Sequence, residues 1–153
     1  MSAVPRLAAM DELAAVRALV HAAYAHYVPR IGIEPGPMRD DYAPLIRDGR
    51  VYVVGAPRAL QAVLVLLPQP DAMLLDNIAV APAAQGRGYG KLLLQFAEQM
   101  ARQAGFRSIR LYTHEKMVEN LALYARIGYR ETHRVHERGL ARVYMLKDLA
   151  ERS

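Results

Sequence analysis

Between Met73 and Ala104 an apolar run, Leu74 to Val80, stops at Ala81-Pro82, enters the turn Gln85-Gly86-Arg87-Gly88-Tyr89-Gly90, and passes at once into helical periodicity. Leu93, Phe96, Ala97, Met100 and Ala104 recur at three- and four-residue spacing, and Gly105 stands where a helix is commonly closed. This order commits the middle of the chain to a strand, a tight turn and a helix. Glycines leave the backbone of such a turn uncovered, and the first amides of the helix have no intrahelical partner and lie at the positive end of its dipole. The unit is therefore built to cradle a phosphate.

Three cradles share this outline. A P-loop would need glycine at Gln85 and a metal-binding hydroxyl at Leu92. A dinucleotide fingerprint begun at Gly86 and Gly88 would need its third glycine at Lys91, and no second βαβ half surrounds the turn. What remains is Q-x-x-G-x-G, formed by Gln85, Gly88 and Gly90 after a strand ending in V-x-P. In these residues the chain resembles the GNAT superfamily of acetyl-CoA-dependent N-acyltransferases. The resemblance implies a central mixed, mostly antiparallel sheet of about seven strands with helices on both faces, an α/β fold. It implies that the amides of Gln85, Gly86, Arg87, Gly88, Tyr89, Gly90 and Lys91 hold the pyrophosphate of acetyl-CoA. The backbone of Ile78, Ala79 and Val80 would pair with the pantetheine arm as an added strand.

A second stretch, Tyr112 to Tyr129, agrees. It is similar to the family element in which a helix carries Asn, then Leu-Tyr, and ends in Gly-Phe or Gly-Tyr: Leu123-Tyr124 and Gly128-Tyr129 match. The commonest Asn position, seven before the tyrosine, holds Met117, and Asn120 lies four before it. Positions three, four and seven apart share a helix face, so Met117, Asn120 and Tyr124 point one way, and Asn120 can take over the pantetheine hydrogen bond. By resemblance, Tyr124 lies beside the CoA sulfur. A phenol of pKa ~10 is a weaker acid than a thiol of ~8.5, so its defensible role is hydrogen-bonding the departing thiolate rather than full prior proton transfer.

The implied reaction is direct attack of a primary amine on acetyl-CoA, without a metal. A lysine-like amine of pKa ~10.4 must lose a proton at about 4 to 5 kcal/mol near neutral pH, an α-amine only about 1. The resemblance implies a carboxylate for that task on the strand before the pyrophosphate loop, and Asp76 stands there, four before Val80. Glu34, Asp40 and Asp41 are further candidates, with His114 behind them; His133 and His136 have no third ligand in sight and decorate a strand. Tyr24, Tyr27 and Tyr42, mixed with Arg30, Arg39 and acidic residues, read as a polar and aromatic cover over the acceptor, with at least one tyrosine in the core.

The rest of the sequence fits. Its 153 residues suit one domain spanning 1–153, and a net charge of +5 with scattered basic residues suits the phosphates of CoA rather than nucleic acid. Zero cysteines remove disulfides and thiolate chemistry. No apolar run approaches a membrane span, so the cytoplasm is the expected location; a homodimer is compatible with everything here. The spacing predicts an edge strand at Ala3 to Leu7, a helix capped by Asp11 and running to Tyr27, a loop from Val28 to Pro37, and a helix from Met38 to Arg47. A hairpin follows at Val51 to Gly55 and Leu60 to Leu67, then, beyond the cradle helix, a strand at Arg107 to Thr113 and a helix at Lys116 to Ile127. Strands near Glu131 to Glu137 and Arg142 to Leu146 close the chain. The acceptor is a small-molecule amine or a peptide or protein N-terminus; a non-catalytic acyl-CoA-binding module is the alternative from another class.

Overall fold

A computed structural model describes residues 4–149 of the chain. Strand β3 (Ala59–Pro68) is buried on both sides from Ala62 to Leu66, and its side chains alternate between two cores. Leu64 and Leu66 face one, Val63 and Val65 the other. The period of two along a strand is what divides them. Around β3 the sheet has the order β1 (Arg6–Leu7), β2 (Val51–Ala56), β3, β4 (Met73–Val80), β5 (Ser108–His114), β7 (Leu140–Asp148), β6 (Arg130–Glu137). All neighbours are antiparallel except β4 and β5. The expected mixed, mostly antiparallel seven-stranded sheet is what forms.

Helix α1 (Leu13–Tyr24) covers one face by burying Val16, Leu19, Val20 and Ala23. Helix α5 (Tyr89–Gln103) covers the other, with α6 (Val118–Arg126) beside it. Its apolar stripe is turned relative to the expected one. Leu93, Leu94, Ala97 and Ala101 are buried, Phe96 and Met100 only partly, and Ala104 is exposed. Among the described residues no helix is long and apolar enough to cross a membrane.

Four local expectations are corrected. Of the expected first strand, Ala3 lies outside the described residues, and among those described β1 meets β2 at Arg6 and Leu7. Asp11 caps nothing: a 3-10 turn, Met10–Glu12, precedes α1, and buried Glu12 accepts the Ala9 amide at 2.9 Å and pairs with Arg6 through both oxygens. The segment expected as a loop holds α2 (Val28–Ile31), where Pro29 sits in the first turn at no hydrogen-bond cost and Gly32, at φ 96°, ends the turn. The helix expected from Met38 to Arg47 is split into α3 (Gly36–Arg39) and α4 (Tyr42–Arg47). Asp40 is extended between them, and Asp41 caps α4 by accepting the Ala43 amide.

Candidate active site

Strand β4 runs beside β5 only at its start, where Met73, Leu74 and Leu75 pair with Ile109, Arg110 and Leu111. At Asp76 the β3 register slips: Leu75 faces Leu66 and Asn77 faces Val65, leaving Asp76 as the extra residue of a β-bulge. A bulge bends its strand and re-aims a side chain. From there β4 stays with β3 while β5 stays with β7 as far as His114. Among the described residues, the edge of Asp76 to Val80 that faces β5 has no partner strand.

The split holds two adjoining spaces that share four wall residues. An outer cleft of about 320 Å3 is lined by Ile78, Ala79, Val80, Gln85, Gly90, Asn120 and Tyr124, seven of the residues expected to hold the cofactor or the leaving group. An inner cavity of about 40 Å3 is lined by Asp76, Tyr112, His114, Arg142 and the covering segment Pro35 to Pro37. Tyr24, Ile78, Asn120 and Tyr124 belong to both walls and mark the junction.

At the outer end, Gly86 and Gly88 take positive φ values of 82° and 88°, which only glycine adopts without strain. A Cβ at Gly86, Gly88 or Gly90 would meet no atom within 4 Å. These glycines face open space, so their purpose is not to let a helix pack against a strand. The amides of Gly86 to Lys91 donate to no backbone carbonyl among the described residues. Glycine-cleared space, free amides and a helix start together fit a pyrophosphate. The side chain of Gln85 folds back to donate to the Val80 carbonyl at 3.4 Å, fixing the turn to the end of β4.

At the junction, Asn120 and Tyr124 stand one turn apart on α6, Met117 is not on the expected helix face but at its N-cap with a non-helical ψ of 63°, and all three line the inner cavity. The Asn120 amide rests on the Met117 sulfur at 3.8 Å, and that sulfur also accepts the Thr113 hydroxyl. The buried Tyr124 ring stands edge-on to Tyr129 at 5.8 Å, while its hydroxyl has no hydrogen-bond partner among the described residues. Burial drives its pKa upward, so the group stays protonated at neutral pH and available as a donor.

At the inner end, Asp76 accepts the Tyr112 hydroxyl at 2.9 Å, and burial raises its pKa. Asp40 lies against it; burial first, then the Asp76 charge, lift the Asp40 pKa to about 6. Two carboxyls this close do not both ionise readily. The sign for stability follows. Asp40 binds a proton more tightly in the folded state than in the unfolded chain, so its favourable contribution is complete below its unfolded pKa near 3.8 and is lost as pH rises through about 6. Asp40→Asn is therefore expected to raise the melting temperature by roughly a few °C at pH 8 and not at pH 4, as scanning calorimetry at the two pH values would read.

Other expected acceptor residues stand elsewhere. Glu34 is exposed, and Asp41 serves as the α4 cap with an exposed ion pair to Arg17. Neither lines the cavity. His114 does, but its ring accepts the Lys116 amide on Nδ1 and burial depresses its pKa. His133 is exposed on β6, stacked on Tyr144. Tyr24, Tyr27 and Tyr42 are all buried rather than forming a surface cover.

The buried tyrosines do a job the sequence hid. Tyr24 donates to Asn77 Oδ1 and the Ile78 carbonyl, Asn77 donates to the Tyr42 hydroxyl, and Tyr42 donates to the Pro37 carbonyl. One chain of hydrogen bonds thus fastens the covering segment, α1 and α4 to the splayed part of β4. Asn77, Tyr112 and Arg142 were invisible as site residues because strand pairing, not sequence spacing, brings them together; a charged residue inside the apolar run of β7 was the available signal for Arg142.

The model of the acetyltransferase (GNAT) family matches residues 16–129. The chain belongs to that family. A 64-residue stretch is 39% identical to N-alpha-acetyltransferase 80 of Mus musculus, over 42% of this chain and 19% of that protein. A 95-residue stretch is 32% identical to the uncharacterized N-acetyltransferase YvbK of Bacillus subtilis, over 61% of each. These matches thus span about a fifth and three fifths of the relatives' own lengths. The PaiA N-acetyltransferase of Thermoplasma acidophilum, solved in complex with coenzyme A, superposes with a TM-score of 0.78 at 17% identity, covering 97% of this chain and 99% of that one.

Proposed function

We propose that the protein transfers the acetyl group of acetyl-CoA directly to a primary amine of a small molecule. The observation that carries this reading is the set of wall residues the two spaces share: a glycine-cleared turn lies at the outer end, Asp76 lines the inner one with Asp40 against it, and Tyr124 stands on both walls. Acetyl-CoA would lay its pyrophosphate on the amides of Gly86 to Lys91, the Gln85 amide being given to the Pro82 carbonyl at 3.4 Å, and its pantetheine along Ile78 to Val80, with Asn120 as a side-chain contact. The unpaired edge of β4 suits an extended arm, as an added strand would. Asp76, with Asp40 as the group that shares its proton, would take a proton from the acceptor ammonium. The amine nitrogen then attacks the thioester carbonyl, the C–N bond forms, and the C–S bond breaks. Tyr124 donates a hydrogen bond to the thiolate as charge develops on sulfur, and the proton released from nitrogen ends on CoA.

A peptide N-terminus is the second reading, favoured by the small size of the inner cavity. About 40 Å3 holds only a few water-sized groups, so an amine head enters while the remainder of the acceptor stays at the mouth.

Gly90→Glu tests the cradle. A Cβ there meets nothing, and the residue lies in the first turn of α5 outside the left-handed region, so the variant folds with a melting temperature at or above wild type. Its carboxylate occupies the phosphate space, and calorimetry is expected to read a CoA affinity at least tenfold weaker, about 1.4 kcal/mol. Unchanged affinity in the folded variant defeats the assignment.

A further inference from the structure

We infer that Arg142 selects acceptors whose amine is flanked by a carbonyl or carboxylate oxygen, as in an amino acid or a peptide N-terminus. The inference rests on the inner cavity being the acceptor site. Arg142 sits on β7 with only 10% of its side chain exposed and lines that cavity. Its Nη1 donates to Glu137 Oε1 at 3.1 Å, and its guanidinium lies over the Tyr112 ring at 4.4 Å. Nε and Nη2 make no hydrogen bond among the described residues and are not among the fully buried polar atoms, so water reaches them. Those Arg142 donors are therefore open to an acceptor oxygen that enters the cavity.

The neighbours make this a matched pair of subsites. Tyr112, under the guanidinium, hydrogen-bonds Asp76, so the cationic fork and the carboxyl that would receive the ammonium are separated by one aromatic ring. A planar guanidinium with free N–H groups is best met by an oxygen of a carboxylate or amide. An amine lacking that oxygen leaves those donors to water and gains no charge-assisted hydrogen bond from them, which sets the two kinds of acceptor apart. Gly36 contributes by absence: a Cβ there would fall 2.9 Å from Nη2, so the covering segment approaches closely only because this residue has no side chain.

The experiment has two readouts. In turnover, alanine, alanyl-alanine and isopropylamine are compared as kcat/KM per unprotonated amine. The ratio of each oxygen-bearing acceptor to isopropylamine is expected to exceed ten in the wild type and to fall at least tenfold in Arg142→Gln, mainly through KM. In binding, N-acetylalanine and N-isopropylacetamide are titrated by calorimetry into the protein saturated with CoA. N-acetylalanine is expected to bind at least tenfold more tightly, and Arg142→Gln is expected to abolish the difference. Preference for alanyl-alanine alone assigns the oxygen to a peptide carbonyl, and preference for alanine alone to a carboxylate; both support the inference. Gly36→Ala, which displaces the guanidinium without removing its charge, should reduce the same ratios and serves if Arg142→Gln does not fold. Equal ratios in wild type and variants overturn the inference. Absence of amine-dependent thiol release with any acceptor defeats the transferase reading instead, and the binding difference then decides the role of Arg142 by itself.

Discussion

With an amine of pKa ~10.4 as acceptor, Asp76→Asn is expected to lower turnover at pH 7 by about a hundredfold or more, because general-base assistance is worth roughly 10²- to 10⁴-fold. With an α-amine the loss should be much smaller, since deprotonation near neutral pH then costs only about 1 kcal/mol. The defect should also shrink towards pH 10, where the amine sheds its proton unaided. The environment of Asp76 argues for this pattern. Burial raises its pKa, and Asp40, at about 6, lies against it, so the wild-type kcat/KM profile should rise through pH 6 as the pair gives up its shared proton. Steady-state rates with the two amine classes across pH 5 to 10 provide the check. A loss that is the same for both amines and at every pH would assign Asp76 to holding the Tyr112 hydroxyl and the bulge of β4 in place.

Tyr124→Phe should lower the turnover number by about one to two orders of magnitude while leaving CoA affinity nearly constant. The ring is buried against Tyr129, and phenylalanine keeps that contact; only a hydroxyl without a protein partner is lost. An interaction absent from the ground state and made as sulfur becomes anionic shows in kcat and hardly in binding. Turnover and calorimetric affinity measured on the same preparation separate the two, and wild-type turnover in the variant would remove Tyr124 from the mechanism.

The glycine-cleared turn at the start of α5 was legible because its signal is local. Gly86, Gly88 and Gly90 precede a helix within a few residues, and their conformational freedom is a property of each residue alone. The placing of Asn120 and Tyr124 one turn apart was legible for the same reason, being fixed by helical spacing, whereas Met117 reaches the same cavity from the N-cap before the helix begins. The acceptor end was less so. Asp76 could be named from its strand, but its bulge depends on the register with β3, and its partners Tyr112 and Asp40 come from β5 and from a break between two short helices. Proline and glycine at positions 28–37 read as loop signals, although a first-turn proline and a terminal glycine also frame a short helix such as α2. The three tyrosines read as a cover are instead buried, and two of them are ties: the Tyr24 hydroxyl finds Asn77 and the Ile78 carbonyl, and the Tyr42 hydroxyl finds Asn77 and the Pro37 carbonyl.

The central claim is best tested by mixing the wild-type protein with acetyl-CoA and a panel of amino acids, peptides and polyamines, while following free thiol and the mass of each amine. The account predicts thiol release that requires an amine, equals in amount the acetylated amine formed, and leaves no acetyl group on the protein. Tight binding of acetyl-CoA with no amine-dependent release across the panel would contradict it and make the protein an acyl-CoA-binding module.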